Sequence, residues 1–375
     1  MAAFHGPLVS NYYAMELLAR EFPDEMGEQR RGAARSELRR WCRGQGRTLG
    51  PVSTARCVFD LAAIPLAAAL GFEPSAPRAI GQDLLLATLG DLPGGKSRPV
   101  LLLVTGWAQS LAASWRDAVR HAAVAGADWC LCINGLQVRL IDTKRSFSRR
   151  FLEFDVEATI EDADSFRLFW AVLRREAFEG RAQDRCRPSG LPLIERVALS
   201  SAAKTLAVCR SLRSGVLDAV GQLVDSLLPS RAVDGRTADL ASLQEQALTL
   251  VYRLLFLLFA ESRGLVPTWH PTYRRSYSME AACALAEREG SARGLWETLQ
   301  AISRLAHTGC HAGSLKVTPF NGRLFAPSLT PAGEHGRPGD DCARNVILAL
   351  TTAPGRQGDQ RSRIVYGDLG VEQLG

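Results

Sequence analysis

The run from Leu248 to Ala260, LTLVYRLLFLLFA, is the most apolar stretch of the chain, and a single arginine, Arg253, interrupts it. Two kinds of structure accept such a run: a bilayer span, or the central helix of a large domain. Its thirteen residues make roughly 20 Å of helix. A bilayer core needs about 30 Å, and Arg253 would sit near its middle, where charge is costly. The run therefore reads as a buried helix, apolar nearly all round. Gly264 stops it and Pro267 lies just beyond. An unpaired buried charge is expensive, so Arg253 needs a partner within the fold. Glu245 and Glu261 lie eight residues away on the same helix, too far to pair. A carboxylate or helix-end carbonyls from another element are expected, with contact to DNA as the alternative.

A chain of 375 residues with 46% apolar content can bury the cores of two or three domains. The net charge of +6 and pI near 8.9 suit an acidic partner such as nucleic acid without requiring one. Nine cysteines without regular spacing argue against a disulfide framework. The N-terminus lacks the basic and apolar regions of a signal peptide. A cytoplasmic protein is expected, with no membrane association.

Periodicity divides the chain. Residues 7–48 read as helix in two pieces broken at EFPDE, and 53–71 as a helix with Ser53 as N-cap. DLLLATL (83–89) and PVLLLVTGW (99–107) then read as strands, 110–127 as a helix ending at Gly126, and WCLCING and QVRLIDT as a hairpin around Asn134-Gly135. RRFLEFDV (149–156) reads as a further strand, and 162–178 as a helix. Residues 179–190 are polar and read as a linker. The pattern is helical from 191 to about 310 and loop-rich afterwards, with a short helix near 340–353.

Arg31, Arg35, Arg39, Arg43 and Arg47 recur at four-residue steps and make a slowly drifting basic stripe on a helix. Such a stripe is either a solvated face paired with Glu25, Glu28 and Glu37 or a surface for DNA phosphates. His307, Cys310 and His311 lack a fourth zinc ligand, so no metal site is expected there. Cys130 and Cys132 alternate along a strand and face one side, the core.

Four pieces in order carry a family resemblance. WCLCINGLQVRLID, with Trp129, Asn134, Gly135 and Arg139, resembles the W-x-x-x-x-N-G-x-x-x-R-L hairpin of large single-chain DNA methylase–nucleases. YRLLFLLFAESRGLVP, with Tyr252, Arg253, Glu261, Arg263 and Gly264, resembles their connector. FNGRLF, with Asn321 and Gly322, and the terminal YGDLGVEQLG resemble later elements of the same chains. The family comprises type IIG restriction–modification enzymes and related adenine-specific methylases of phage defence.

The resemblance implies a helical arm (1–50), an α/β domain like PD-(D/E)XK nucleases but degenerate (51–178), the linker, an all-α connector (191–312), and a junction (313–375) leading to a methylase domain this sequence lacks. The nuclease fold sets a carboxylate on one strand and E-x-K on the next, so that a Mg²⁺ ion can activate water. Asp83 opens the first candidate strand, but the next strand has Leu103-Val104-Thr105 where E-x-K belongs, and no acid or lysine occurs between Val100 and Ser114. An unusual site would have to draw on Asp83, Asp91 and Lys96. Neither the S-adenosylmethionine loop nor N-P-P-Y occurs. S-adenosylmethionine and Mg²⁺ are therefore expected only of a full-length or active relative, and the ending reads as that of a fragment or split subunit. The leading expectation is binding of double-stranded DNA and scaffolding for a methylase domain or subunit. The alternatives are an active Mg²⁺-dependent endonuclease and a protein–protein scaffold without DNA affinity.

Overall fold

Strands that are apolar at every position must be covered on both faces, and those of the first half are. The structure, a computed structural model, describes residues 3–23, 27–45, 48–90, 98–180, 190–228, 239–288, 293–320, 322–336, 338–353, 362–364 and 366–368. The chain divides into two compact units, Met1–Lys204 and Thr205–Gly375.

The first unit is built on a mixed sheet of seven strands among the described residues: β1 (Phe4–His5), β2 (Arg78–Gly81), β3 (Leu84–Leu89), β4 (Val100–Thr105), β5 (Trp129–Ile133), β6 (Gln137–Asp142) and β7 (Phe151–Asp155). Their order in space is β1-β7-β6-β5-β4-β3-β2. Only β4 and β5 run parallel, because helix α5 (Trp115–Ala125) carries the chain from one to the other. The remaining neighbours are antiparallel.

Side chains alternate between faces. Leu102, Val104, Leu131, Ile133 and Leu140 point into the larger core. On that side lie α1 (Leu18–Glu21), α2 (Glu28–Gln45), α3 (Ala55–Val58), α4 (Ile64–Ala69), α6 (Val156–Glu161) and α7 (Ala163–Leu173). Leu101, Leu103, Cys130 and Cys132 face the opposite side and pack on Ala118 and Ala122 of α5. The predicted common orientation of the two cysteines holds, with sulfurs 4.0 Å apart in the core.

The expected strands, the hairpin and the end of α5 at left-handed Gly126 are all present. Strands β1 and β2 were not expected. Ser53 does not cap the following helix: its hydroxyl accepts from the Gly50 amide instead, and the first helical residue is Ala55. Most of the predicted linker, residues 181–189, lies outside the described residues.

The second unit is helical. Helix α8 (Leu193–Leu227) starts in the first unit and continues into it. It also contains α9 (Leu240–Ser262), α10 (Pro271–Ser276), α11 (Met279–Glu287), α12 (Leu295–Thr308), α13 (Pro331–His335) and α14 (Asp340–Thr351), with a small hairpin of β8 (Cys310–Ala312) and β9 (Leu315–Val317). By length and composition α9 could cross a membrane. Here it is the central core helix, burying Leu243, Ala247, Val251, Leu254 and Leu257. Gly264 ends it as predicted, at φ +65°. The Gly264 amide bonds Glu261 O at 3.0 Å and the Leu265 amide bonds Ala260 O at 2.9 Å, the double closure of a glycine-terminated helix. An α/β unit followed by a helical one is thus observed.

Candidate functional site

At the carboxyl ends of β4 and β5, Gln109 joins Asp83 to Asn134 and so brings Asp83, Asn134 and Gly135 together. Asp83 sits in the tight turn between β2 and β3 at φ +56°, and Ala108, just after β4, also has φ +56°. Non-glycine residues seldom adopt this region, and such strain concentrates at functional sites. One Asp83 oxygen accepts from the Ala55 amide at 2.5 Å, at the start of α3, and the other accepts from Gln109 Nε2 at 2.9 Å. Gly106 lies against the same carboxylate, where a Cβ would collide with it.

Asn134 occupies the adjoining corner. Its Oδ1 accepts from the Leu136 and Gln137 amides at 3.0 and 2.7 Å, and its Nδ2 donates to Gln109 O at 2.8 Å. Gly135, at φ +89°, passes so close to Trp107 that an added Cβ would stand 2.5 Å from the ring. This explains the Asn-Gly pair: asparagine closes the turn with its own side chain, and only glycine admits the indole. Trp129, at the other end of β5, is buried edge-on to Phe178 at 6.3 Å.

The cluster holds one carboxylate, already engaged at both oxygens, and β4 is apolar up to Thr105. A divalent cation wants several free oxygen ligands, and these residues do not fit one. The other members of the unusual site, Asp91 and Lys96, lie outside the described residues.

Further along the same hairpin, Arg139 of β6 and Glu153 of β7 form a cross-strand pair, Nε to Oε2 2.5 Å, with both side chains buried. The guanidinium lies over the Phe151 ring at 4.3 Å, and His5 Nε2 is 3.7 Å from the other Glu153 oxygen. The opposite end of β5–β6 carries Asp128, Asp142 and Lys144, a carboxylate and an Asp-x-Lys that the sequence reading missed because it sought the pattern on β3–β4. There Arg98 holds Asp128 at 2.5 Å, Lys144 lies 3.6 Å from Glu195 and 3.9 Å from Asp128, and Asp142 accepts from the Arg145 amide. Arg98 and Lys144 thus pair with Asp128 and Glu195, whereas Asp142 is held by a backbone amide, and the three carboxylates and Lys144 line one cavity. Among the described residues no group of three His, Cys, Asp or Glu side chains is arranged to hold a metal.

The basic stripe on α2 is half-buried at Arg31, Arg35 and Arg39, and much of it is paired within the fold. Arg35 donates from Nε to Ile160 O at 2.8 Å and from its terminal nitrogen to Glu161 O at 2.7 Å, so it caps the carboxyl end of α6. Arg39 bonds the Glu161 carboxylate at 3.0 Å, and Arg31 lies 3.6 Å from Glu28. Arg43 is exposed, and Arg47 lies outside the described residues. The four-residue spacing was real, but most of what it organises is the docking of α2 on α6.

In the second unit Arg253 is almost completely buried. Its Nε donates to Leu324 O at 2.9 Å, a terminal nitrogen donates to Ala326 O at 2.8 Å, and Glu334 of α13 stands 3.8 Å away. The carboxylate and carbonyl partners expected from another element are therefore the ones found, and they tie α9 to the loop after Gly322. The Gly322 carbonyl in turn accepts from His307 Nδ1 at 3.0 Å. Asn321 lies outside the described residues. Tyr252 is exposed, and Arg263 lies over the Phe259 ring at 5.3 Å.

Glu261, near the end of α9, accepts from the Met279 amide at 2.6 Å and the Glu280 amide at 3.2 Å, at the start of α11. Burial pushes its carboxyl up to about 7, against the pull of those two amides and the Tyr273 hydroxyl. A raised acid pKa means that the folded state holds the proton more tightly than the unfolded chain. Stability from this group is full below about 4.5, the value in the unfolded chain, and is lost as pH rises through about 7. The unfolding free energy of the second unit, measured by urea titration, is therefore expected to fall between pH 4.5 and 7.5, by no more than about 3 kcal/mol. Glu261→Gln should flatten that part of the profile; an unchanged slope in the variant would reject the assignment.

No protein-family model, no curated protein and no solved structure matches the chain.

Proposed function

We propose that the chain is a DNA-binding scaffold, the N-terminal and connector part of a restriction–modification or phage-defence methylase–nuclease, whose nuclease-like α/β unit no longer cleaves. The observation that carries this reading is the employment of Asp83. It stands in the turn leading into the first strand of the β3–β4 hairpin, where a metal-binding carboxylate would be wanted, yet both its oxygens serve the start of α3 and Gln109. Its partner strand offers no second carboxylate. The residue has become a helix cap, holding α3 against the sheet across which α5 connects β4 and β5. The net charge of +6 supports an acidic partner, and the methylase that such a scaffold would serve is a further domain or a separate subunit.

The test has two arms. Plasmid DNA incubated with the protein and Mg²⁺ should remain uncut, and cleavage abolished by Asp83→Ala would overturn the reading. The same substitution is expected to cost about 1–3 kcal/mol in urea unfolding, through the lost cap and the strained backbone. Binding of a 20-bp duplex should weaken steeply between 50 and 150 mM salt, since phosphate neutralisation releases counterions. A chain that shows no shift at the lower salt is a protein–protein scaffold instead.

A further inference from the structure

We infer that the second unit carries a nucleic-acid surface built around Trp269, which stacks an unpaired base while Arg274, Arg275 and Lys316 neutralise the flanking phosphates. The proposal rests on the DNA-binding reading and gives it a location. Two segments form the surface: the loop from Arg263 through α10, and the β8–β9 hairpin. Val266 and Tyr273 of the first pack with Leu315 and Val317 of the second in a small core of their own. His270 Nε2 lies 3.1 Å from Ser314 Oγ and joins their edges.

Trp269 is 75% exposed. A side chain that normally contributes a large apolar contact area is left in water, but it is not loosely held. Pro267 and Pro271 bracket the turn, the His270 amide bonds Pro267 O at 2.9 Å, and the His270 ring caps α10 through the Thr272 amide at 3.2 Å. The indole stands edge-on to that fixed imidazole at 5.7 Å. A ring displayed on a stiff turn loses little freedom when it is covered.

Charge selects what covers it. Residues 262–279 contain no aspartate or glutamate, and neither do residues 307–333, while together they carry Arg263, Arg274, Arg275, Lys316 and Arg323. Arg274, Arg275 and Lys316 are exposed, and among the described residues none of them has a carboxylate within ion-pair distance. Elsewhere in this unit Arg304 and Arg363 are paired, with Glu334 and Glu287, while Arg210, Arg213, Arg288 and Arg293 are exposed without a carboxylate partner among the described residues, so it is the acid-free sequence around Trp269, more than the lack of ion pairs, that marks this surface. Glu261 and Glu280 bound the first segment, and Glu261 is turned onto the Met279 amide and the Tyr273 hydroxyl. An aromatic platform on segments whose own charges are all basic matches a strand whose bases stack and whose phosphates pair. A protein partner would gain nothing from that segregation unless it were itself strongly acidic.

The full chain is titrated into fluorescein-labelled dT15 and into a blunt 20-bp duplex, followed by anisotropy at 50 and 150 mM NaCl. Wild-type protein should bind dT15, and Trp269→Ala should weaken it about tenfold, a typical loss for one stacked base. Trp269→Phe should restore most of the affinity, which a merely structural tryptophan would not show. Arg274→Ala with Arg275→Ala should lower the slope of log affinity against log salt by about 1.4, two single-strand phosphates. All three side chains are exposed, so the folded state should survive. If duplex binds and neither variant changes anything, this surface is wrong while the DNA-binding reading stands. If wild type binds neither probe, both fall.

Discussion

Arg253→Leu should lower the stability of the second unit by about 3–5 kcal/mol, the usual cost of removing one member of a buried charged network. The loss has identifiable parts. Leu324 O and Ala326 O each lose a charged donor, and a buried carbonyl without a partner costs about 1–3 kcal/mol. Among the described residues Glu334 keeps only Arg304 as an ion-pair partner, at 3.3 Å. Burial already holds the Arg253 pKa below its ordinary value, with Glu334 opposing, so the guanidinium is tolerated there because it reaches several acceptors at once. Arg253→Lys should recover only part of the loss, because an ammonium lacks the planar fork that spans two carbonyls. Arg304→Ala removes an exposed side chain from the same carboxylate and should cost less than about 1 kcal/mol. Urea titration ranks the three variants. Hydrogen exchange over 322–334 should accelerate in Arg253→Leu before the rest of the unit responds. Equal losses for Arg253→Leu and Arg304→Ala would show that the buried network does not hold this loop.

The same residue shows where reading the sequence succeeds. One charge in an apolar run is expensive whatever the fold, so its need for partners could be stated in advance, but their identity could not. Leu324, Ala326 and Glu334 are more than seventy residues away, with nothing in their local sequence to mark them. The strands β3 to β7 were legible for a related reason: their apolar runs are bounded by turn chemistry that acts locally, as in Asn134-Gly135. The unexpected elements were those stabilised by partners rather than by pattern. Strand β1 is two residues long and exists because Phe4 and His5 pair with Phe154 and Glu153. Strand β2 is an exposed edge with a bulge, and β8–β9 is defined by the small core shared with Val266 and Tyr273.

Misassigned roles have the same origin. Ser53 is a good N-cap type in the right place, but a carboxylate thirty residues further along the chain reached the helix first. Arginines at four-residue steps describe one face of α2 correctly and leave open what that face meets; for Arg35 and Arg39 it meets the end of α6. Trp269 drew no attention in the sequence because a lone tryptophan beside prolines carries no period. Only its exposure in the folded chain, together with the acid-free segment that packs beside it, separates it from an ordinary core residue.

Glu153→Ala is expected to destabilise the first unit by about 3–5 kcal/mol, leaving the Arg139 guanidinium buried between β5 and β7 with only the Phe151 ring for company. The cation–π contact returns about 1–2 kcal/mol at a desolvated site, not enough to replace a charge-assisted bond. His5 cannot substitute, because its ring lies on the carboxylate side of the pair and loses its own partner in the variant. Arg139→Met should cost a similar amount for the opposite reason, a buried carboxylate left with only a weakly placed histidine at 3.7 Å. The informative variant is the double one. Two apolar side chains of similar volume demand no desolvation of charge, so Arg139→Met with Glu153→Leu should recover most of the stability lost in either single change. Hydrogen exchange over 137–155 reports this directly, fast in both single variants and near wild type in the double. If the double variant were instead as unstable as the sum of the singles, the pair would be acting through groups other than each other.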